Sequence, residues 1–165
     1  MEIKLNNIIL SVIEHSTEDE NKVLQSLCYF IPEKIDDENI NINSIETEGC
    51  FGNPIIIHEI ELTKKNAKLT YKHIMNLLKR NERNVSKLKK DIDTRLEKGK
   101  IYLRFNKQLA YDNKCVLIDG DDIIRIVIGF NVYGTKNKEE EVKKHILNEI
   151  NNLDIKLLKN KQNIK

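Results

Sequence analysis

The sequence predicts an α+β fold of two layers, in which helices pack on one face of a mostly antiparallel sheet of about five strands. Three observations lead to this class. Apolar residues alternate in several short segments, and they recur at helical spacing in others. The segments follow one another as strand, helix, hairpin, two helices, two or three strands and a last helix. A doubly wound parallel sheet would instead need a regular strand–helix repeat.

The chain opens with a strand and a helix. Residues 1–13 are rich in β-branched side chains at mostly even spacing, and the pattern slips at Asn6-Asn7, where a β-bulge would fit. The helix is predicted to begin at Thr17, whose hydroxyl would pair with Glu20 in a capping box. Pro32 ends this helix, because proline lacks the N–H that the helix needs.

A hairpin and two basic helices come next. Residues 42–47 and 55–62 alternate in the manner of strands, and the turn residues of positions 49–54 lie between them, so we expect the two strands to pair. Residues 67–78 and 81–96 each place apolar side chains on one helical face. Both helices are lysine-rich elsewhere, which is typical of helices that are packed on one side only.

The last third of the chain returns to strands and ends in a helix. Residues 100–105 alternate as a strand, and residues 107–111 are predicted to turn briefly helical. Residues 123–133 form the longest predicted strand, and residues 138–151 form the last helix. These elements complete the predicted α+β order.

We expect a single domain over residues 1–155, followed by a basic tail of residues 156–165. The length of 165 residues suffices for one hydrophobic core, and no apolar run approaches the ~20 residues that span a bilayer. The N-terminus lacks the pattern of a signal peptide. An odd number of widely spaced cysteines is typical of reduced thiols, so we predict a cytoplasmic protein. The cysteines are Cys28, Cys50 and Cys115.

Charge is unevenly distributed along a chain whose net charge is only +2. Residues 14–61 contain 12 acidic and 2 basic side chains, whereas residues 64–100 contain 13 basic and 4 acidic ones. The basic segment covers the two lysine-rich helices, which would contact a phosphate backbone without reading bases. Ordinary solvated helix faces are an equally good interpretation. The candidate RNA-binding residues are Lys64, Lys65, Lys68, Lys72, Arg80, Arg83, Lys87 and Lys90.

Two short motifs of RNA-binding modules occur outside their usual structural context. Residues 49–52 spell the loop of a KH domain, yet they join two predicted strands instead of two helices. Residues 98–105 match the first motif of an RNA recognition module, except that Lys100 replaces an aromatic residue that would stack on a base. Only Tyr102 remains for stacking. We interpret both matches as coincidental.

The sequence lacks motifs for catalysis or metal binding. Its histidines and cysteines do not have the spacing of a structural zinc site, and it has neither a nucleophile elbow nor a glycine-rich phosphate loop. We therefore predict a non-catalytic protein without metal or cofactor. An enzyme is the weaker alternative, because catalytic groups converge in space rather than in sequence. Its candidate groups are Arg104, Lys107, Gln108, Asp121 and Asp122.

Four short strings occur here in a specific order and spacing: residues 16–20 (STEDE), 52–55 (GNPI), 104–108 (RFNKQ) with Tyr111, and 121–125 (DDIIR). Together they resemble the archaeal uncharacterised protein family two-zero-one. That family is catalogued as a domain of unknown function, and also under an RNA-binding or exosome-associated label. The resemblance extends over nearly the whole chain.

The resemblance implies a two-layer fold similar to that of the large-subunit ribosomal protein that docks the small ribosomal RNA, usually as a homodimer. It implies no known reaction. Our hypothesis is therefore a non-catalytic, RNA-associated protein, and the alternative is a homodimeric interaction or scaffold module that does not bind RNA. The family-motif residues carried over are Thr17, Glu18, Asp19, Gly52, Asn53, Pro54, Arg104, Lys107, Gln108, Asp122 and Arg125.

Overall fold

The computed structural model describes residues 2–152, and one antiparallel sheet of six strands runs through it in the order β2-β3-β1-β6-β5-β4. The predicted α+β class is confirmed. The sheet has one strand more than expected, because a two-residue strand pairs with the edge of β5. The predicted basic tail, residues 156–165, lies outside the described residues. The strands are β1 (Glu2–His15), β2 (Ile42–Glu48), β3 (Pro54–Thr63), β4 (Leu96–Glu97), β5 (Lys100–Asn106) and β6 (Ile123–Tyr133).

Helices pack on one face of the sheet, here called the helix face. Alternation along the strands shows which face this is: in β5, Leu103 and Phe105 are fully buried, whereas Arg104 between them is exposed. None of the helices in residues 2–152 is both long and apolar enough to cross a membrane. The helices are α1 (Glu20–Cys28), α2 (Lys64–Lys79), α3 (Glu82–Asp91), α4 (Lys107–Tyr111) and α5 (Lys138–Asn151), with 3-10 turns at Asp37–Asn39 and Ile92–Arg95.

The opposite side of the sheet carries no described helix and is here called the open face. Its side chains alternate with those of the core and lie side by side through the strand register. One end of this face is acidic and apolar, and the other end is basic. Its members include Ile9, Ser11, Ile13, Ile45, Ile57, Glu59, Tyr102, Arg104, Arg125 and Val127.

The predicted β-bulge in the first strand is present. The pairing of β1 with β6 shifts register between Leu5 and Asn7, so Ile3 and Leu5 before the shift share the helix face with Ile8 after it. Gly129 is the partner of Asn7 across this bulge, and a side chain at that position would collide with the amide of Asn7. The bulge therefore keeps one continuous apolar face along β1.

Helix α1 begins at a different cap from the predicted one. The side chain of Asp19, not that of Thr17, accepts hydrogen bonds from the backbone N–H groups of Asn21 and Lys22, so the capping box of Thr17 and Glu20 is wrong. The intervening residue, Glu18, turns towards the protein interior. Two good caps stand two residues apart in this sequence, and a tertiary contact of Glu18 decides between them.

Candidate functional site

The predicted RNA-binding side chains lie on the outer side of α2 and α3. In α2 the core positions Ala67, Ile74 and Leu78 are buried, so the lysines between them point away from the sheet. Seven of the eight candidates are exposed, and these seven form no ion pair with a carboxylate of residues 2–152. We call them the basic stripe: Lys64, Lys65, Lys68, Lys72, Arg80, Arg83 and Lys90.

Lys87 is the remaining candidate, and carboxylates already hold its side chain. Its Nζ lies 2.8 Å from Oδ2 of Asp119 and 3.3 Å from Oδ2 of Asp91. The hydrogen bond to Asp119 raises the pKa of Lys87 and lowers the pKa of Asp119. Arg95 joins the same carboxylates, with its Nε 2.8 Å from Oδ1 of Asp91. Lys87 therefore ties α3 to the loop before β6, and a phosphate would have to compete with both carboxylates.

Family-motif residues from three separate strings meet at a buried lysine cluster. Lys107 is only 3% exposed, and its Nζ lies 2.9 Å from Oε1 of Glu18 and 2.9 Å from Oδ1 of Asp122. The same Nζ donates to the backbone oxygen of Ile13 at 3.0 Å. An ammonium group has three donors, so every N–H of Lys107 has an acceptor. Lys107 is thus a charged structural centre and has no free lone pair for acting as a base.

Gln108 completes this cluster from the next position of α4. Its Nε2 donates to Oδ2 of Asp122 at 3.2 Å. Burial opposes ionisation of Asp122, but the hydrogen bonds from Lys107 and Gln108 outweigh it and hold the pKa of that carboxyl below its ordinary value. A cavity of about 220 Å³ beside the cluster is lined partly by Glu18 and Lys107. The cluster joins α4, the end of β1 and the start of β6.

The other family-motif residues lie elsewhere. Gly52 and Asn53 form the tip of the hairpin between β2 and β3, where Gly49 N–H donates to Asn53 O at 2.7 Å. Gly52 has a φ of +76°, a left-handed conformation that favours glycine. Thr17 is exposed in the loop before α1, and Arg104 and Arg125 lie on the open face.

The candidate groups of the enzyme hypothesis do not all converge. Lys107, Gln108 and Asp122 meet in the buried lysine cluster, but Arg104 projects from the open face and donates to the backbone oxygen of Gly120 at 3.4 Å. Burial raises the pKa of the Cys115 thiol to about 12, which keeps that sulfur protonated and unreactive at neutral pH. Among residues 2–152, no group of three or more His, Cys, Asp or Glu side chains is placed to hold a metal ion.

The sequence patterns missed a polar network that crosses three strands on the helix face. Ser44 Oγ lies 2.7 Å from Nδ1 of His58, and His58 Nε2 lies 2.8 Å from Oε1 of Glu14. His58 is 1% exposed. An imidazole protonated on Nε2 would donate to Glu14 and accept from Ser44, which satisfies both ring nitrogens. No local signal marks this network, because only the strand register brings its members together.

Comparison with known proteins places the fold in a family. A family model described as RNA binding matches residues 7–130, a range that runs from β1 to β6. This chain belongs to that family. An uncharacterised protein of Methanocaldococcus jannaschii is 50% identical to it over 146 residues, which cover 88% of this chain and 98% of that protein. An RNA-binding protein of Pyrococcus abyssi is 33% identical over 144 residues, which cover 86% of this chain and 91% of that protein.

Solved structures support the same family assignment. A protein of Sulfolobus solfataricus described as DUF54 is 33% identical, with a TM-score of 0.63, and the match covers 86% of this chain and 97% of that one. Structures described as UPF0201 proteins share the fold. The predicted resemblance to an archaeal family of uncharacterised proteins, with an RNA-binding label, is confirmed.

Proposed function

We propose that this protein associates with RNA through phosphate contacts of the basic stripe and catalyses no reaction. The observation that carries the proposal is the exposure of seven cations on two consecutive helices, without ion pairs to the carboxylates of residues 2–152. The description of the matching family and the name of the Pyrococcus abyssi relative support it. The proposed location is the cytoplasm, in keeping with three free cysteines.

The spacing of the basic stripe suits a phosphate backbone. Lys68 and Lys72 are four residues apart in α2, which places them ~6 Å apart along the helix axis. Lys64 stands at the first position of the same helix, with a left-handed φ of +51°. Lysine ammonium groups act as mobile point charges and do not read bases. The proposed binding is therefore strong at low salt and indifferent to sequence.

A salt titration tests this proposal. The affinity for a short single-stranded RNA should fall linearly on a double logarithmic plot, with a slope of about −0.7 for each phosphate contacted. Three to seven contacts from the stripe correspond to a slope between about −2 and −5. Fluorescence anisotropy at several salt concentrations measures it. Binding that does not change between about 50 and 200 mM salt, or no binding at the lowest salt, would contradict the proposal.

A second candidate function is a homodimeric interaction module that uses the open face. Ile45 is 62% exposed and Ile13 is 37% exposed, and both lie in one cross-strand row with Ile57. In the next row Ser11 lies between Glu59 and Arg125. A twofold axis along β1 would therefore bring Glu59 of one copy opposite Arg125 of its partner, so this face is complementary to a second copy of itself.

Charged substitutions on the open face test this second candidate. Changing both Ile45 and Ile57 to Lys should convert a dimer into a monomer, because each buried lysine would have to lose its hydration. Light scattering coupled to size exclusion measures the mass. Glu46→Lys on the opposite side of β2 is the matched control and should leave the mass unchanged. A monomeric wild-type protein in the same measurement would exclude this function.

A further inference from the structure

Two arginines stand directly opposite each other on the open face. Arg104 of β5 and Arg125 of β6 are register partners, and both side chains are exposed. Neither forms an ion pair with a carboxylate of the described chain. Like charges that face each other across neighbouring strands destabilise a sheet. The pair is therefore an unfavourable element of the free protein, and an anion bound between the two guanidinium groups would remove the repulsion.

The arginine pair lines a cleft of about 380 Å³ between the sheet and the 3-10 turn that precedes β4. Arg95 of that turn also lines the cleft, but its side chain is only 6% exposed and Asp91 already neutralises it. Glu97 is the carboxylate among the lining residues. The cations that remain available to a ligand are thus Arg104 and Arg125.

Neighbouring groups hold both guanidinium groups in place. Arg104 Nη1 donates to the backbone oxygen of Gly120 at 3.4 Å, and Cζ of Arg125 lies 5.2 Å from the ring centroid of Tyr102. A guanidinium group has five N–H donors, so most donors of both arginines stay free for an anion. A cation held against an aromatic ring also loses less side-chain entropy when it binds.

We propose that Arg104 and Arg125 bind a phosphoryl group in this cleft, which makes the open face a phosphate site separate from the basic stripe. Planar guanidinium groups match the geometry of phosphate oxygens and bind them with paired hydrogen bonds. The concave cleft accommodates one phosphoryl group with part of its ester. The phosphoryl group is that of an RNA strand or of a small phosphorylated molecule. The site lies on the opposite side of the sheet from α2, and it does not depend on the proposed contacts of that helix.

Phosphate-dependent stability in matched variants tests the site. Inorganic phosphate and adenosine 5′-monophosphate should raise the Tm of the wild-type protein above its value in sodium chloride of equal ionic strength. Arg104→Gln and Arg125→Gln should each abolish this rise. Without phosphate, both variants should be at least as stable as the wild type, because they relieve the repulsion. Lys100→Gln, an exposed change on the same strand that does not line the cleft, should retain the full rise.

Direct binding of the same probes identifies the source of the phosphate. Calorimetric titration should show affinities for adenosine 5′-monophosphate at least tenfold weaker in Arg104→Gln and Arg125→Gln than in the wild type. If a short RNA without a terminal phosphate loses affinity in parallel, the bound group belongs to the RNA backbone. If only the mononucleotide and inorganic phosphate lose affinity, the ligand is a small phosphorylated molecule. Either result supports the site.

Three results would overturn the phosphate site. The first is that neither phosphate probe raises the wild-type Tm or gives binding heat. The second is that Arg104→Gln and Arg125→Gln bind the probes as the wild type does. The third is that these variants alter only the oligomeric state, in which case the partner of Arg125 is a carboxylate of a second copy, such as Glu59. If the basic stripe does not bind RNA, charge reversal of its residues will leave the RNA affinity unchanged, whatever the Arg104 and Arg125 variants do. The two proposals can therefore be rejected independently.

Discussion

Reversal of four charges in the basic stripe is expected to abolish RNA binding at low salt. The variant loses four phosphate contacts and gains four side chains that repel the backbone, so the electrostatic contribution to affinity reverses its sign over this surface. Fluorescence anisotropy with a short single-stranded RNA measures the affinity, and circular dichroism verifies that the fold is retained. The substitutions are Lys68→Glu, Lys72→Glu, Arg80→Glu and Arg83→Glu.

A matched variant separates the stripe from the overall charge of the protein. In this variant, four exposed lysines outside α2 and α3 are replaced by glutamate, which changes the net charge by the same amount as the stripe variant does. We expect this control to bind RNA more weakly than the wild type but measurably, because distant charges act only through the screened field. An unchanged affinity of the stripe variant, or equal losses in both variants, would contradict the assignment. The control substitutions are Lys4→Glu, Lys34→Glu, Lys136→Glu and Lys138→Glu.

Lys107→Met is expected to lower the free energy of unfolding by about 3 kcal/mol, near the lower end of the range for one partner removed from a buried ion pair. The substitution removes the Lys107 donor from the backbone oxygen of Ile13 and from the carboxylate of Glu18, which keeps only the hydrogen bond from the His15 N–H. Asp122 is 56% exposed at its side chain and recovers hydration, which limits the loss. Urea unfolding at neutral pH measures the change.

The pH dependence of unfolding provides a second measure of the same cluster. The pKa of Asp122 lies below its ordinary value of 3.8 in the folded protein. Its contribution to stability is therefore present above that ordinary value and is lost as the pH falls through the lowered pKa. Lys107→Met removes a hydrogen bond that lowers this pKa, so the variant should lose less stability than the wild type as the pH falls through this range, here called the acid limb of the stability curve. Lys114→Met, an exposed change nearby in the chain, should alter neither the stability by more than about 0.5 kcal/mol nor the acid limb.

Local patterns predicted most elements of the fold. A strand was expected at residues 123–133 and is found there as β6, because a run rich in β-branched side chains and a preceding Asp-Gly turn are both local signals. The expectation that it would be the longest strand is wrong, because β1 has 14 residues and β6 has 11. The brief helix α4 and the bulge of β1 were predicted for the same reason. The cap of α1 was not predicted correctly. Thr17 and Asp19 are both acceptable caps, and the choice between them depends on the tertiary hydrogen bond of Glu18 with Lys107.

The candidate sites also contain one part that the sequence predicted and another part that depends on tertiary contacts. The spacing of Lys68 and Lys72 places them on one side of the predicted helix whatever that helix packs against, so the sequence alone predicted a basic helix face. Whether a member remains free depends on distant carboxylates, and Lys87 is held by Asp119, 32 positions away.

Only the tertiary structure decided which residues became neighbours across the sheet. Arg104 faces Arg125, and His58 bonds both Ser44 and Glu14, through the register of strands that are far apart in the chain. Side-chain periodicity within a strand determines which face a residue occupies, but it carries no information about the residue opposite. The sequence therefore determined the fold class and the basic helices, whereas strand pairing created the arginine cleft and the buried polar groups.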